Sequence, residues 1–336
     1  MKVETSPAST SRSQTSMRDR ASEPDQHNLQ IHNVLVPVDF SAPSLRALEF
    51  ALPLVRHFGA DLHLVHVFAT DHPFTGLVGM PFVLPEFEIN RSVYEQLKDV
   101  ARKYSINVGP ENLHVSKGRA FEEICRLGHD AGIDLIIIAT RGNTGLKHLA
   151  LGSTAERVVR HSSCPVLVTH DGKPPGGATG FRKILVPTDF SECSMKGLVY
   201  AKAFAKHFKS MITLLNSVHL HYYVASDECG RYDLPRLMHQ ADLMARDQMR
   251  DLFEKTDWDG LEVETSLQTG HPGQQICEHA RDSDMDLIVI STHGSTGLTH
   301  LLLGSVAEYV VRHAHCPVLV VPTRSSEPQS HTTKAK

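Results

Sequence analysis

The sequence predicts an α/β protein built as two tandem parallel-sheet domains, and three observations predict it. The 336-residue chain repeats itself: residues 135–168 lie against residues 287–320 without a gap, with 24 of 34 positions identical, and VLVPVDFS at 34–41 returns as ILVPTDFS at 184–191. The front copies are 150 residues apart and the back copies 152, so each repeat is a whole domain rather than the short period of a solenoid. The length prior of roughly 100–200 residues per domain independently suggests two domains, each large enough for its own core. Within each copy, apolar runs of strand length alternate with helix-patterned segments, which is βαβ rhythm.

Taken in order, residues 1–30 are rich in Ser, Thr, Asp, Glu and Arg and almost free of large apolar side chains, so they read as a disordered tail. Domain 1, residues 31–170, opens with a strand at 34–38. Ser41 then caps a helix in which Leu45, Leu48, Leu52 and Val55 share one face, and Pro53 predicts a kink within it. Residues 61–68 and 134–139 are nearly continuous apolar runs, as expected for strands covered on both faces of a parallel sheet; 166–168 is the last strand. Proline cannot donate to a ladder, so Pro37 and its repeat Pro187 belong at the carboxyl end of the first strand. The stretch DHPFTGLVGMPFVLPEF after the second strand reads as a loop over its own core or as a lid or partner surface, and residues 218–237 of domain 2 are composed differently. Residues 171–181, within HDGKPPGGATG, form a linker; domain 2 spans 182–323, with Ser191 opening the counterpart of the Ser41 helix; 324–336 is a second polar tail.

A net charge of −4 offers no electrostatic case for nucleic acid. No apolar run approaches the roughly 20 residues needed to span a bilayer, and the first 30 residues lack a signal-peptide core, so a soluble, unexported, cytoplasmic chain without membrane contact is expected. The six cysteines contain no CxxC pair, and Cys125 and Cys164 recur as Cys277 and Cys316, which favours buried thiols over a disulfide framework. His219 with His221, His161 with Cys164 and His313 with Cys316 each supply two ligands where a closed zinc site takes four, so no metal site is expected.

The most repeated segment is glycine-spaced: RGNTGLKHLALGS at 141–153 and HGSTGLTHLLLGS at 293–305. Each reaches Gly-Ser before a helix, and Glu156 and Glu308 follow the serines by three, a capping box that makes Ser153 and Ser305 the N-caps. Two readings stay open here. The serines and glycines either only cap and turn, or the helix-end amides and the positive end of the helix dipole form an anion site. Neither GxxxxGK[ST] nor an early GxGxxG is present, which excludes the usual NTPase and dehydrogenase loops. No lysine follows Gly152 or Gly304 as in a phosphate-binding P-loop, and no clear carboxylate pair accompanies the loop, so no catalytic residue is assigned. His148 and His300 recur inside it and either face phosphate or serve packing, while Glu122 and Glu123 either add charge nearby or line a solvated helix face.

In these residues the chain resembles the universal stress proteins, whose nucleotide-binding members carry G-x2-G-x9-G-[ST] after the fourth strand. Gly142, nine residues and Gly152-Ser153 fit the last part, and Gly294, nine residues and Gly304-Ser305 fit it again; Ala139 and Ser291 stand at the first glycine. The resemblance implies two doubly wound, Rossmann-like sheets of strand order 3-2-1-4-5, with strands 1 and 4 adjacent at a switch point where open α/β sheets place ligands. It implies an adenine nucleotide, ATP or a relative with Mg, bound for stress adaptation without turnover. Asp39 and Asp189 would lie beside the adenosine, although an Asx turn also explains them. The main chain around Val67, with Ser217 aligned in domain 2, would meet adenine. Gly142, Gly152, Ser153 and Thr154, with Gly294, Gly304, Ser305 and Val306, would hold ribose and phosphates. Family members lacking the full motif imply the alternative of a nucleotide-free interaction module. The resemblance also implies pairing of the terminal strands, residues 165–169 with 317–321, into an intra-chain pseudo-dimer, and leaves a further homo-oligomer open.

Overall fold

The computed structural model describes residues 30–68, 86–140, 142, 151–170, 180–219, 233–294 and 303–323. The two tails, most of both glycine loops with His148 and His300, His221 and most of the stretch after the second strand lie outside the described residues. Domain 1 runs β1 (Asn33–Pro37), α1 (Ala42–Phe58), β2 (Asp61–Phe68), α2 (Glu86–Lys103), β3 (Leu113–Lys117), α3 (Ala120–Asp130), β4 (Leu135–Ala139), α4 (Ser153–His161) and β5 (Val166–Thr169). Domain 2 repeats this as β6 (Lys183–Pro187), α5 (Glu192–Phe208), β7 (Met211–Val218), α6 (Leu234–Lys255), β8 (Val263–Thr269), α7 (Pro272–Asp282), β9 (Leu287–Ser291), α8 (Ser305–His313) and β10 (Val318–Val321).

Local chemistry accounts for the boundaries. Ser41 is the N-cap of α1, accepting from Ser44 N, and Gly59 ends the helix in the left-handed region at φ 63. The helix continues through Pro53, which sits on the exposed face where water can satisfy the carbonyl that loses its partner. Pro37 and Pro187 end β1 and β6, as a residue without an amide donor requires. β4 and β9 are buried along their whole length, matching their unbroken apolar sequence.

Each domain has strand order 3-2-1-4-5, and the two sheets join edge to edge into one of ten strands, β3-β2-β1-β4-β5-β10-β9-β6-β7-β8. The seam is antiparallel, with Val166 opposite Val320, Leu167 opposite Leu319 and Val168 opposite Val318. The period of two then divides the core. Val34, Val36, Leu135, Ile137, Leu167 and Leu319 face α1, α2, α5 and α6, whereas Leu35, Ile136, Ile138, Val166 and Val320 face α3, α4, α7 and α8. Each face carries a continuous core across both domains.

The seam is reinforced on both sides. His57 at the end of α1 stacks on Phe208 at the end of α5 with centroids 4.4 Å apart, and Phe58 packs edge-on against Phe204 and Phe208. Phe181, read in sequence as the last linker residue, is fully buried among Phe50, Phe204 and Phe208. On the opposite face Arg312 Nη2 reaches Glu156 across the seam at 3.3 Å, and His170 Nε2 donates to Val311 O at 3.0 Å. The five described cysteines are free thiols; burial pushes Cys164 up to about 11 and Cys316 up to about 12.

Candidate functional site

Both domains have a topological switch point at the same place. The β1–β4 ladder joins Val34 to Leu135 and Leu35 to Ile136, while β1 runs on to Pro37 and β4 to Ala139. The β6–β9 ladder likewise joins Ile184 to Leu287 and Leu185 to Ile288. Strand order reverses here, so the helices that follow the two strands, α1 and α4 or α5 and α8, lie on opposite faces, the position at which open α/β sheets place ligands.

The turn after β1 lines one wall. Asp39 Oδ1 accepts from Ser41 N at 3.0 Å and from Ser41 Oγ at 2.5 Å, and Asp189 repeats this with Ser191 at 3.1 and 2.5 Å. The Asx-turn reading therefore holds for one carboxylate oxygen of each aspartate. The other faces the glycine loop: a Cβ added to Gly142 would lie 2.5 Å from Asp39 Oδ2, and one on Gly294 would lie 2.5 Å from Asp189 Oδ2. A side chain at either position would have to displace that carboxylate oxygen.

Phe40 and Phe190, between aspartate and serine, each adopt φ 62, a left-handed conformation that costs a bulky residue about 1 kcal/mol or more. In domain 1 the Phe40 ring stacks on His66 at 4.7 Å, and His66 Nδ1 donates to Val38 O at 2.7 Å. In domain 2 Asn216 Nδ2 donates to the equivalent Thr188 O at 2.8 Å. The sequence reading missed His66 and Asn216; the available signal was a polar side chain at the same repeat position, one residue before Val67 and Ser217. Val67 is half-buried on β2 opposite Ser116, and Ser217 Oγ donates to Gly270 O at 2.9 Å.

The third wall is the start of α4 and α8. Gly152 N donates to Thr140 O at 2.7 Å and Gly304 N to Thr292 O at 2.8 Å, so each glycine loop closes on the residue after its strand. A Cβ on Gly304 would sit 3.1 Å from Thr292 O. The capping-box expectation is corrected here. The N-caps are Gly152 and Gly304, Ser153 and Ser305 are the exposed first helical residues, and among the described residues no side chain caps either helix. With the glycines as N-caps, Glu156 and Glu308 stand one position past that of a capping box; Glu156 pairs with Arg160 at 2.9 Å and Arg312 at 3.3 Å, and Glu308 with Arg312 at 2.7 Å. Among the described residues no side chain caps the first-turn amides, including those of Thr154 and Val306, at the positive end of a helix dipole.

Ala139 and Ser291, at the family's first glycine, are buried at the ends of β4 and β9. Ser291 Oγ donates to His293 O at 2.8 Å, and His293 Nδ1 lies 3.0 Å from Thr292 Oγ1 and 3.1 Å from Thr323 Oγ1. Glu122 and Glu123 are ion-paired to Arg119 and Arg126 on the surface of α3. Among the described residues no group of three or more His, Cys, Asp or Glu side chains could hold a metal, and no helix is long and apolar enough to cross a membrane.

The model of the Universal stress protein family matches residues 30–170 and again residues 180–322. The chain belongs to the universal stress protein family. A universal stress protein of Methanocaldococcus jannaschii is 35% identical over 152 residues, covering 45% of this chain and 88% of that protein. One from Mycobacterium tuberculosis is 26% identical over 187 residues, 56% of this chain and 61% of its own length. The crystal structure of a universal stress protein from Archaeoglobus fulgidus superposes with a TM-score of 0.60 at 21% identity, covering 89% of this chain and 98% of that one, a likeness of fold. In this tandem universal stress protein one chain supplies both halves of the ten-stranded sheet.

Proposed function

We propose that each domain offers its β1/β4-type crevice to an adenine nucleotide, ATP or a relative with Mg, and that the protein acts in stress adaptation by binding without turning the nucleotide over. One observation carries the reading. In both domains a carboxylate turn, a glycine pressed against it and an uncapped helix N-terminus converge at the point where strand order reverses. Asp39 and Asp189 would lie beside the adenosine through the oxygens that face Gly142 and Gly294. The main chain at Val67 would meet the base. Ser153 and Thr154, and Ser305 and Val306, would offer amides and hydroxyls to the phosphates, with Gly152 and Gly304 leaving room for their close approach, and the phosphates would bring Mg with them. No catalytic residue is proposed.

The second reading, a nucleotide-free interaction module, draws support in domain 2 from the Ser291 hydroxyl and the His293 ring, which already fill the start of that glycine loop with internal hydrogen bonds. Denaturing purified protein and quantifying released adenine nucleotide per chain separates the two. Two equivalents in the wild type and none in a folded Gly152→Val/Gly304→Val variant are expected; one equivalent assigns binding to a single domain. No nucleotide, even after ATP is added back, would leave the interaction-module reading.

A further inference from the structure

At the other end of the sheet, near the amino-terminal ends of the strands, Asn33, His63 and His114 form a diagonal row across β1, β2 and β3. His63 is buried, its Nδ1 lies 3.1 Å from His114 Nε2, and its Nε2 lies 3.3 Å from Asn33 Oδ1. The two ring planes are 10° apart. Their centroid separation of 5.4 Å is close to the 3.1 Å contact plus two ring radii, which places both rings and the contact on one line. That is the geometry of an in-plane N–H···N hydrogen bond rather than of stacked faces.

The hydrogen bonds also assign the protons. Asn33 Nδ2 donates to Gly132 O at 3.2 Å, which leaves Asn33 Oδ1 to accept from His63 Nε2–H. His63 Nδ1 is then a lone pair, and His114 Nε2–H donates to it. A first added proton can go to His114 Nδ1 and keep this bridge. One on His63 Nδ1 sets donor against donor and breaks it.

The charged groups acting on the pair are Asp61 at the start of β2 and Glu111 in the turn before β3, and both favour a proton on His63. Burial outweighs them and holds His63 below the ordinary value, while burial and the facing His63 lower His114. A metal is the poorer occupant, because no third His, Cys, Asp or Glu joins the pair among the described residues. Domain 2 lacks the device. The register that sets Val65 opposite His114 sets Leu215 opposite Ser266, and Thr213 and Lys183 replace His63 and Asn33.

Among the described residues β3 is the edge strand of domain 1 and pairs with β2 alone. We propose that His63 and His114 form a proton-operated clasp that fastens β3 to the sheet near neutral pH and releases it in acid. Since both folded pKa values lie below the 6.5 of a free histidine, the unfolded strand takes up protons first. The clasp's contribution is therefore complete above pH 6.5 and is lost as pH falls toward the folded values. Release would bare the edge of β2, a row of amides and carbonyls open to a new strand.

Amide hydrogen exchange on the full chain tests this, with β8 as the internal control. After correction for intrinsic rates, β3 protection should fall roughly tenfold relative to β8 between about pH 7.5 and 5.5, as local opening becomes easier. The ratio should stay flat in His63→Thr/His114→Ser, which installs the residues of domain 2. A constant ratio in the wild type, or an acid step retained by the variant, would overturn the clasp. Should the variant fail to fold, imidazole nitrogen spectra of the wild type decide: a coupled titration below the ordinary histidine range supports it, and two independent ordinary titrations overturn it.

Discussion

At the scale of single residues, the crevice depends on side chains whose two polar ends have different tasks. Asp39 spends Oδ1 on the Ser41 amide and hydroxyl and presents Oδ2 to Gly142, so the loop glycine is a matter of space. Because Ser41 restrains the carboxylate, Gly142→Ala should cost about 1–3 kcal/mol in urea unfolding, the range for an overpacked contact. Most of that cost should vanish in an Asp39→Ala background. Equal costs in both backgrounds would place the strain elsewhere. His66 and Asn216 show the same economy, with two unlike side chains holding one repeated carbonyl.

At the scale of elements, two serines that look alike in sequence behave differently. Ser41 and Ser191 are working N-caps, whereas Ser153 and Ser305 lie inside the first turn of their helices. Thermal or urea denaturation should show Ser41→Ala losing about 1 kcal/mol, as loss of a side-chain cap does. Ser153→Ala should lose under about 0.5 kcal/mol, as at an exposed site without a cap bond. An equal loss at both would restore the capping box. An uncapped α4 is stable because its apolar face, including Val158 and Val159, is buried against the sheet.

At the scale of the whole molecule, the duplication closes two edges that separate domains would expose. β5 and β10 satisfy each other's backbone groups, and Leu167 faces Leu319 beneath a core shared by both domains. Leu319→Asp should bury an unpaired charge at that seam and cost more than about 3 kcal/mol. Calorimetry should then resolve two unfolding transitions in the variant and a single one in the wild type. The Arg312–Glu156 pair is partly exposed and adds little by comparison.

The sequence by itself determined the repeat, the α/β alternation, the buried central strands and the strand-terminal prolines, because these follow from apolar pattern and from backbone chemistry within a few residues. It also indicated Asp39, Gly142 and Gly152 and their counterparts, through a resemblance that covers both domains. Only the tertiary structure decided that Glu156 also reaches Arg312 across the seam, that Asp39 Oδ2 faces Gly142, and that His63 shares a hydrogen bond with His114. Those partners lie 156, 103 and 51 residues apart in the chain. A local pattern reports what a residue can bond, and packing of the sheets and helices determines which partner arrives within reach.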